Sequence, residues 1–280
     1  MTLLGAAQIR ELAAALDLKP SKSLGQNFVI DSNVCTKIVR TAAVGPTDIA
    51  LEIGPGLGSL TLALLESAAS VVAVEIDPRL AGQLPITVAN HCEHPENLTV
   101  LNQDALTIEA LPVNPTVLVA NLPYNVSVPV LLHLLEKFES LRTGVVMVQA
   151  EVADRLAAKP GTKDYGIPSV KAAWWAEVKG AGSVSRSVFW PAPNVDSKLV
   201  SFTRRQTPGD EELRRKVFTI IDAAFAQRRK MLRSALSSLY GSSSAAEEIL
   251  NRAKIDPTLR GEALEIAGFC AIAAVAPDIF

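Results

Sequence analysis

Apolar and polar positions follow two rhythms along the chain. Residues 5–16 carry an apolar stripe at helical spacing, Ile9, Leu12, Ala13 and Leu16, and predict an amphipathic helix. The polar loop "KPSKSLGQNFVID" comes next, and its Asp31-Ser32 end can cap a helix over 33–43. Short β-rich runs then lie at 49–53, 71–75, 98–102, 117–120 and 145–148. Helix-compatible stretches at about 59–67, 79–89, 128–137 and 151–158 separate them. Strand and helix alternating at this spacing predict a parallel sheet covered on both faces. Two more strands, near 183–188 and 198–204, flank the Pro-rich "FWPAPNVDS" and are expected to close one sheet edge as an antiparallel pair.

After Arg205 the strand rhythm stops. "QTPGDEE" reads as a linker that ends in a helix start with acidic first-turn residues, and 211–276 reads as helices only. "GSSSAA" is expected as a loop and helix cap, and the apolar run 266–276 as a packed helix too short to span a bilayer. The expectation is thus a Rossmann-like, doubly wound, mostly parallel α/β domain over 1–206 with an antiparallel edge strand. A small all-helical domain over 207–280 completes it.

Composition narrows the classes. With 280 residues, 49% hydrophobic and 20% charged, the chain can bury a sizeable core. Its formal net charge of −2 argues neither for nor against nucleic acid, so only a local patch could. Cys35, Cys92 and Cys270 lie far apart and have neither zinc nor disulfide-framework spacing, which fits a reducing cytoplasm and no metal. No signal-peptide pattern opens the chain.

The expected strand ends carry the chemistry. "LEIGPGLGSLT" puts Gly54, Gly56 and Gly58 directly after the first strand of the alternating set, where a backbone can turn tightly and approach a ligand. The spacing is G-x-G-x-G, neither the dinucleotide fingerprint nor a P-loop. The second strand ends in "VEID", where Glu75 can accept from a ribose diol; the third ends in "LNQDAL", where Asp104 can accept from an adenine amine or cap the next helix. The fourth stops at "VANLPYNV", an amide, a stiff proline and an aromatic ring. One nucleoside-like ligand spanning the first three tips would put its reactive end at the fourth.

"GPGLG", Glu75, Asp104 and "NLPY" together resemble an S-adenosylmethionine-dependent methyltransferase acting on an adenine amino group. "KSLGQNF", "QAEVADRLAAKPGTKDYGIPSV" and "VFWPAPNVDS" narrow the resemblance to the small-subunit ribosomal RNA adenine dimethyltransferase family, from Lys22 to Arg233. That resemblance implies dimethylation of two adjacent adenosines, with the small ribosomal subunit and its rRNA as partners, in the cytoplasm. It also implies that Gln26, Asn27 and the backbone of Val29 close over the methionine end of the cofactor. Gly54, Gly56 and Gly58 would line its first loop, Glu75 and Ile76 its ribose side, Asp104 and Ala105 its adenine. Asn121 would sit beside the methyl group. Asn194 stands where the family often has Lys, which bears on one RNA contact and not on the cofactor site.

An adenine amine is a poor nucleophile, because its lone pair is delocalised into the ring. Accepting both N–H groups, from the Asn121 side-chain oxygen and the Leu122 carbonyl, would localise that pair. Pro123 would hold the aim, and Tyr124 would offer a ring face to base and sulfonium. The target base has to leave its stack, and Phe189 is the candidate second face of a stacking sandwich, with a core position between strands as the other reading. Tyr165 is read as structural. In the stretch "LRRKVFTIIDAAFAQRRKMLRSAL", Arg214, Arg215, Lys216, Arg228, Arg229, Lys230 and Arg233 face only Asp222 in sequence, and are expected to bind RNA phosphates. No membrane partner is expected, and the chain is taken as a monomer. A large-subunit rRNA methyltransferase, a Rossmann oxidoreductase and a non-catalytic assembly factor are the alternatives.

Overall fold

The runs Ile49–Ile53 (β2), Ser70–Glu75 (β3) and Val117–Asn121 (β5) are near-continuous apolar segments, and almost every residue in them is buried. Such runs suit the centre of a parallel sheet covered on both faces. The computed structural model describes residues 2–18 and 27–277. Its main sheet has seven strands in the order β4-β3-β2-β5-β6-β9-β7, where β4 is Leu98–Asn102, β6 Thr143–Gln149, β7 Ala176–Val184 and β9 Ser197–Arg204. The strands β2 to β6 pair parallel; β9 pairs antiparallel with β6, from Thr143 opposite Thr203 to Gln149 opposite Ser197. The order reverses between β2 and β5, which opens a crevice at their carboxyl ends.

Local chemistry starts the helices. Asp31 caps α2 (Ser32–Thr41) by accepting from the Asn33 N–H, and Asp77 caps α4 (Pro78–His91) by accepting from Arg79 N–H, with Pro78 in the first turn. Between them α3 (Ser59–Leu65) begins at Gly58, whose φ of 97° is open to glycine. The helix α5 (Ser127–Lys137) ends on carbonyls that Arg204 satisfies: its guanidinium donates to Leu135 and Phe138 at 2.7 and 2.9 Å. The N-terminal helix α1, Ala6–Ala15, buries Ile9 and Ala13 of the predicted stripe.

Two strands escaped the sequence. Phe28–Val29 (β1) pairs antiparallel with Phe189–Trp190 (β8) as a separate small ladder. The strand expected near 183–188 is β7, which begins earlier and ends at Val184; Ser185 then accepts from the Ser187 N–H and starts a 3₁₀ turn, Arg186–Val188. Gly180 and Gly182 dilute the β-pattern of β7, and most of its side chains face solvent, so the apolar signal is missing.

The chain divides into two compact units, residues 1–153 with 179–204, and 154–178 with 205–280. The second unit thus takes in 154–178, which the sequence reading places with the first. In it, Asp210 caps α8 (Glu211–Ala226), and Ser242 caps α11 (Ser243–Arg252) within "GSSSAA", while α6 (Ala150–Leu156) is the helix in which the unit boundary falls. The remaining helices are α7 (Ile167–Ala172), α9 (Leu232–Ala235), α10 (Ser237–Tyr240) and α12 (Ile266–Val275). The apolar α12 buries Phe269, Ile272 and Ala273, and α8 buries Val217, Ile220, Ile221 and Ala224. Among the described residues no helix is long and apolar enough to cross a membrane.

Candidate active site

A cleft of about 940 Å³, counted to its open mouth, lies at the carboxyl ends of β2, β3, β4 and β5. Asn27, Val29, Gly54, Gly56, Glu75, Ile76, Asp104, Ala105 and Asn121 of the predicted cofactor residues line it. Gln26 lies outside the described residues. Gly58 does not line the cleft: it starts α3, and a Cβ there would meet Leu84 Cδ1 at 2.9 Å. At Gly56 a Cβ would meet the Phe28 ring at 2.9 Å, and φ is +58°, so this turn of the loop admits no other side chain without displacement.

Glu75 ends β3 with its carboxylate already organised. Oε2 accepts from Gly56 N–H at 3.1 Å and Oε1 from Asp77 N–H at 3.0 Å, which ties the glycine loop to the strand tip. Burial pushes its pKa up, against these backbone hydrogen bonds. Each oxygen keeps a further lone pair for a ligand hydroxyl. Asp104 lines the cleft, and its Oδ1 accepts from Leu106 N–H at 2.9 Å in an Asx turn; no helix starts there, so the helix-cap alternative is not met.

Asn121 closes the cleft at the β5 tip. Its Nδ2 donates to the Asn27 carbonyl at 3.1 Å. That bond takes one N–H of the amide and sets its orientation, and Oδ1 has no described partner. Leu122 donates its N–H to Met147 O at 3.0 Å, which fixes the peptide beyond the strand, and no described residue bonds its carbonyl. Pro123 lines the cleft and accepts Val126 N–H at 3.2 Å, so the turn is tight. Tyr124 is half-buried, and its hydroxyl meets Ser197 Oγ at 2.8 Å. Burial pushes the Tyr124 pKa up, which keeps the phenol neutral.

Phe189 is not brought to the cleft. It is 3% exposed and packs in the core cluster with Val29, Val188 and Leu199. Neighbouring residues of a strand point to opposite faces, so Trp190 lies on the other side, half-buried, and stacks on Phe28 with centroids 6.3 Å apart. Tyr165, read as structural, is buried and donates to Leu264 O at 2.8 Å.

The basic stretch of the second unit is mostly spoken for. Arg214 pairs with Glu211 at 2.7 Å and lies over the Phe218 and Trp175 rings at 4.9 and 5.6 Å. Arg215 also pairs with Glu211, at 2.8 Å, Arg228 with Glu262 at 3.0 Å, and Arg233 with Glu247 at 3.2 Å. Arg229 and Lys230 are exposed, with no described side-chain partner. The single opposing acid within the stretch, Asp222, is paired with Lys171 instead.

Sequence reasoning missed Glu52, Ser59, Gln103 and Phe28 in the cleft lining. Ser59 Oγ donates to Val29 O at 2.7 Å and so holds β1 to the glycine loop. A signal for Glu52 existed: it stands two residues before the first glycine, inside an otherwise apolar strand.

A sequence model of the family "Ribosomal RNA adenine dimethylase" matches residues 18–276. The chain is 58% identical over 276 residues to "Ribosomal RNA small subunit methyltransferase A" of Leifsonia xyli subsp. xyli (strain CTCB07), across 98% of this chain and 99% of the relative. The protein of the same name from Streptomyces avermitilis is 59% identical over 274 residues, across 97% and 93%. Among solved structures, a dimethyladenosine transferase from Plasmodium falciparum superposes with TM-score 0.74 at 24% identity, covering 88% of this chain and 95% of that one, a likeness of fold. The 23S rRNA methyltransferase ErmE superposes with TM-score 0.66 at 26% identity, covering 89% and 98%.

Proposed function

The chain belongs to the ribosomal RNA adenine dimethylase family, and from that premise we propose how this site carries out the reaction. The protein is an S-adenosylmethionine-dependent rRNA adenine-N6 dimethyltransferase. Its substrate is small-subunit (16S) rRNA, at two adjacent adenosines, within a ribosomal particle. It works in the cytoplasm as a monomer.

The residues fit the donor. Without a Cβ, Gly56 lets the Phe28 ring pack against the glycine loop, and both line the cleft. Glu75 offers two oxygens to a ribose diol, Asp104 an acceptor to an adenine amine, and Ile76, 51% exposed, an apolar face to the adenine ring. Once bound, the donor supplies an electrophilic methyl group on a positively charged sulfur.

The observation that carries the reading is the pair of acceptors at the β5 tip. The Asn121 amide is turned by its bond to Asn27 O and lines the cleft with no described partner on Oδ1; the buried Leu122, next in the chain, contributes its carbonyl as the second acceptor. An extruded adenine whose two N–H groups meet them directs its nitrogen lone pair out of the ring plane. Asn121 and Leu122 would so aim that nitrogen at the methyl group the donor supplies, and the N–C bond would form as the C–S electron pair returned to sulfur. The nitrogen, now cationic, loses a proton to water, so no strong base is needed beforehand. Aim and electrostatic complementarity provide the acceleration. After one transfer a single N–H remains, and one acceptor suffices to hold it for the second. The Tyr124 ring stacks on the base, with its hydroxyl anchored on Ser197. Arg229 and Lys230, exposed cations of the second unit, take RNA phosphates.

The test is transfer of labelled methyl groups to unmethylated small subunits, followed by mapping of the product. Dimethyladenosine at two neighbouring positions of 16S rRNA is expected. Labelling confined to large-subunit RNA, or none, overturns the reading.

A further inference from the structure

The cleft wall holds a carboxylate for which the amine clamp has no use. Glu52 sits within β2, is 1% exposed and lines the cleft. Its Oε2 accepts from Thr61 Oγ1 of α3 at 2.6 Å. Glu75 and Asp104 line the same cleft, and among the described lining residues there is no Lys, Arg or His. Few groups face Glu52: Thr61 from α3, the Cys35 thiol from α2 and Glu75 from β3. The neighbouring β5 has only apolar residues over 117–120. A wall of acids without a protein cation suits a ligand that brings positive charge.

Burial pushes the Glu52 carboxyl up to about 8; the Thr61 hydrogen bond opposes this and the Glu75 charge adds to it. At neutral pH the carboxyl therefore carries a proton while the cleft is without a cation.

We propose that Glu52 reads the charge of the bound ligand, releasing its proton when the sulfonium donor enters and retaining it when the neutral-sulfur product is bound. The inference rests on the donor reading above. Its balance is simple: one proton passes from the Glu52 carboxyl to water as the donor binds, and one returns from water when the product replaces it. The sign follows from linkage. A cation favours the ionised carboxylate, so donor affinity rises with pH up to about 8, where Glu52 is already ionised, and is flat above. Product affinity changes less. The donor-to-product affinity ratio should rise by up to about tenfold per pH unit below that point. Product would thereby exchange for fresh donor without any change of shape.

Titration calorimetry at pH 7 in phosphate and in Tris, buffers with different ionisation heats, counts the protons. S-adenosylmethionine should release close to one proton and S-adenosylhomocysteine markedly fewer. In Glu52→Gln the buffer dependence should vanish and the affinity ratio should fall by roughly tenfold. Thr61→Val, which removes the bond favouring the ionised form, should move the pH rise upward and serves if Glu52→Gln folds poorly. Infrared difference spectra should lose a protonated-carboxyl band on donor binding. Buffer-independent donor heats in the wild type overturn the inference alone, as does release that persists in Glu52→Gln. Absence of any donor heat overturns the donor reading and this inference with it.

Discussion

The strand tips of the first unit and the basic stretch of the second are both rich in charged and polar side chains, yet the fold arranges them in opposite ways. At the tips, Glu75, Asp104 and Asn121 sit at the ends of β3, β4 and β5 and converge on one cleft. In the basic stretch, Arg214, Arg215, Arg228 and Arg233 are each held by a glutamate, and only Arg229 and Lys230 of the predicted RNA contacts have no described side-chain partner. The difference lies in what sets the direction of a side chain. A parallel sheet sends every strand's carboxyl end to the same edge, so residues far apart in sequence meet there by construction. A helix surface imposes no such convergence, and a cation pairs with whatever acid the fold brings near.

The sharpest test of the tips is Asn121→Ala. Removal of one aimed acceptor where charge develops should lower methyl transfer by ~100- to 1,000-fold. Donor affinity should change little, because the cofactor-facing groups stay in place. A turn residue alone would instead cost on the order of 1 kcal/mol of stability with near-normal turnover. Single-turnover methylation and a melting curve on the same variant separate the two. A stable variant with wild-type turnover would break the contrast drawn above.

Glu75→Gln comes next. The two oxygens already accept from Gly56 and Asp77 N–H, so a glutamine must turn an NH₂ toward one of those donors. The loss of a charged acceptor for the ribose should weaken S-adenosylmethionine binding by roughly 10- to 100-fold. The melting temperature should fall as well, since the carboxylate also ties the glycine loop to the strand. Calorimetry that finds unchanged affinity would remove Glu75 from the ligand site and leave it a loop anchor.

What was legible in the sequence follows the same division. The continuous apolar runs of β2, β3 and β5 predict buried parallel strands, and their ends mark the cleft. Most of the edge strand β7, 176–182, is not legible, because most of its side chains face solvent and two glycines interrupt it. The β1–β8 ladder was illegible because it pairs two-residue segments across most of the chain. The sequence aims Phe189 at the ligand, with a core position as the other reading; the alternation of β8 sends it into the core and Trp190 to the opposite side, against Phe28. The acids that quench the basic stretch escaped because Glu211 lies just before it and Glu247 and Glu262 well after it.

Replacing Arg229 and Lys230 together tests the part of the stretch that folding left exposed. Loss of both to Ala should weaken small-subunit binding and reduce the slope of log affinity against log salt by roughly 1.5 to 2, with donor affinity unchanged. The contrast is Arg214→Ala. Its side chain is 13% exposed, paired and stacked on two rings, so it should leave the salt slope alone and lower stability by roughly 1 to 2 kcal/mol. If Arg214→Ala flattened the salt dependence as much as the double variant, pairing would not divide the cations into two classes.

The smallest expected effect concerns how the Tyr124 ring is aimed. Stacking needs only the ring, and Tyr124→Ala should cost roughly 1 to 3 kcal/mol of base binding. Yet the hydroxyl is not idle, for it meets Ser197 Oγ at 2.8 Å, and Ser197 is fully buried at the start of β9. β9 is held in register against β6, with Ser197 opposite Gln149, so the hydroxyl joins the turn after β5 to the sheet itself. Tyr124→Phe and Ser197→Ala should therefore each slow methylation by roughly 2- to 10-fold, the worth of one net hydrogen bond. The double variant decides whether they act through that bond. If it is no slower than either single one, the shared bond carries the effect and the ring is aimed by the sheet, as Asn121 is. If the two losses multiply, the hydroxyls act separately, and Tyr124 belongs with the helix-surface cations as a residue whose partner in the fold does not set its function.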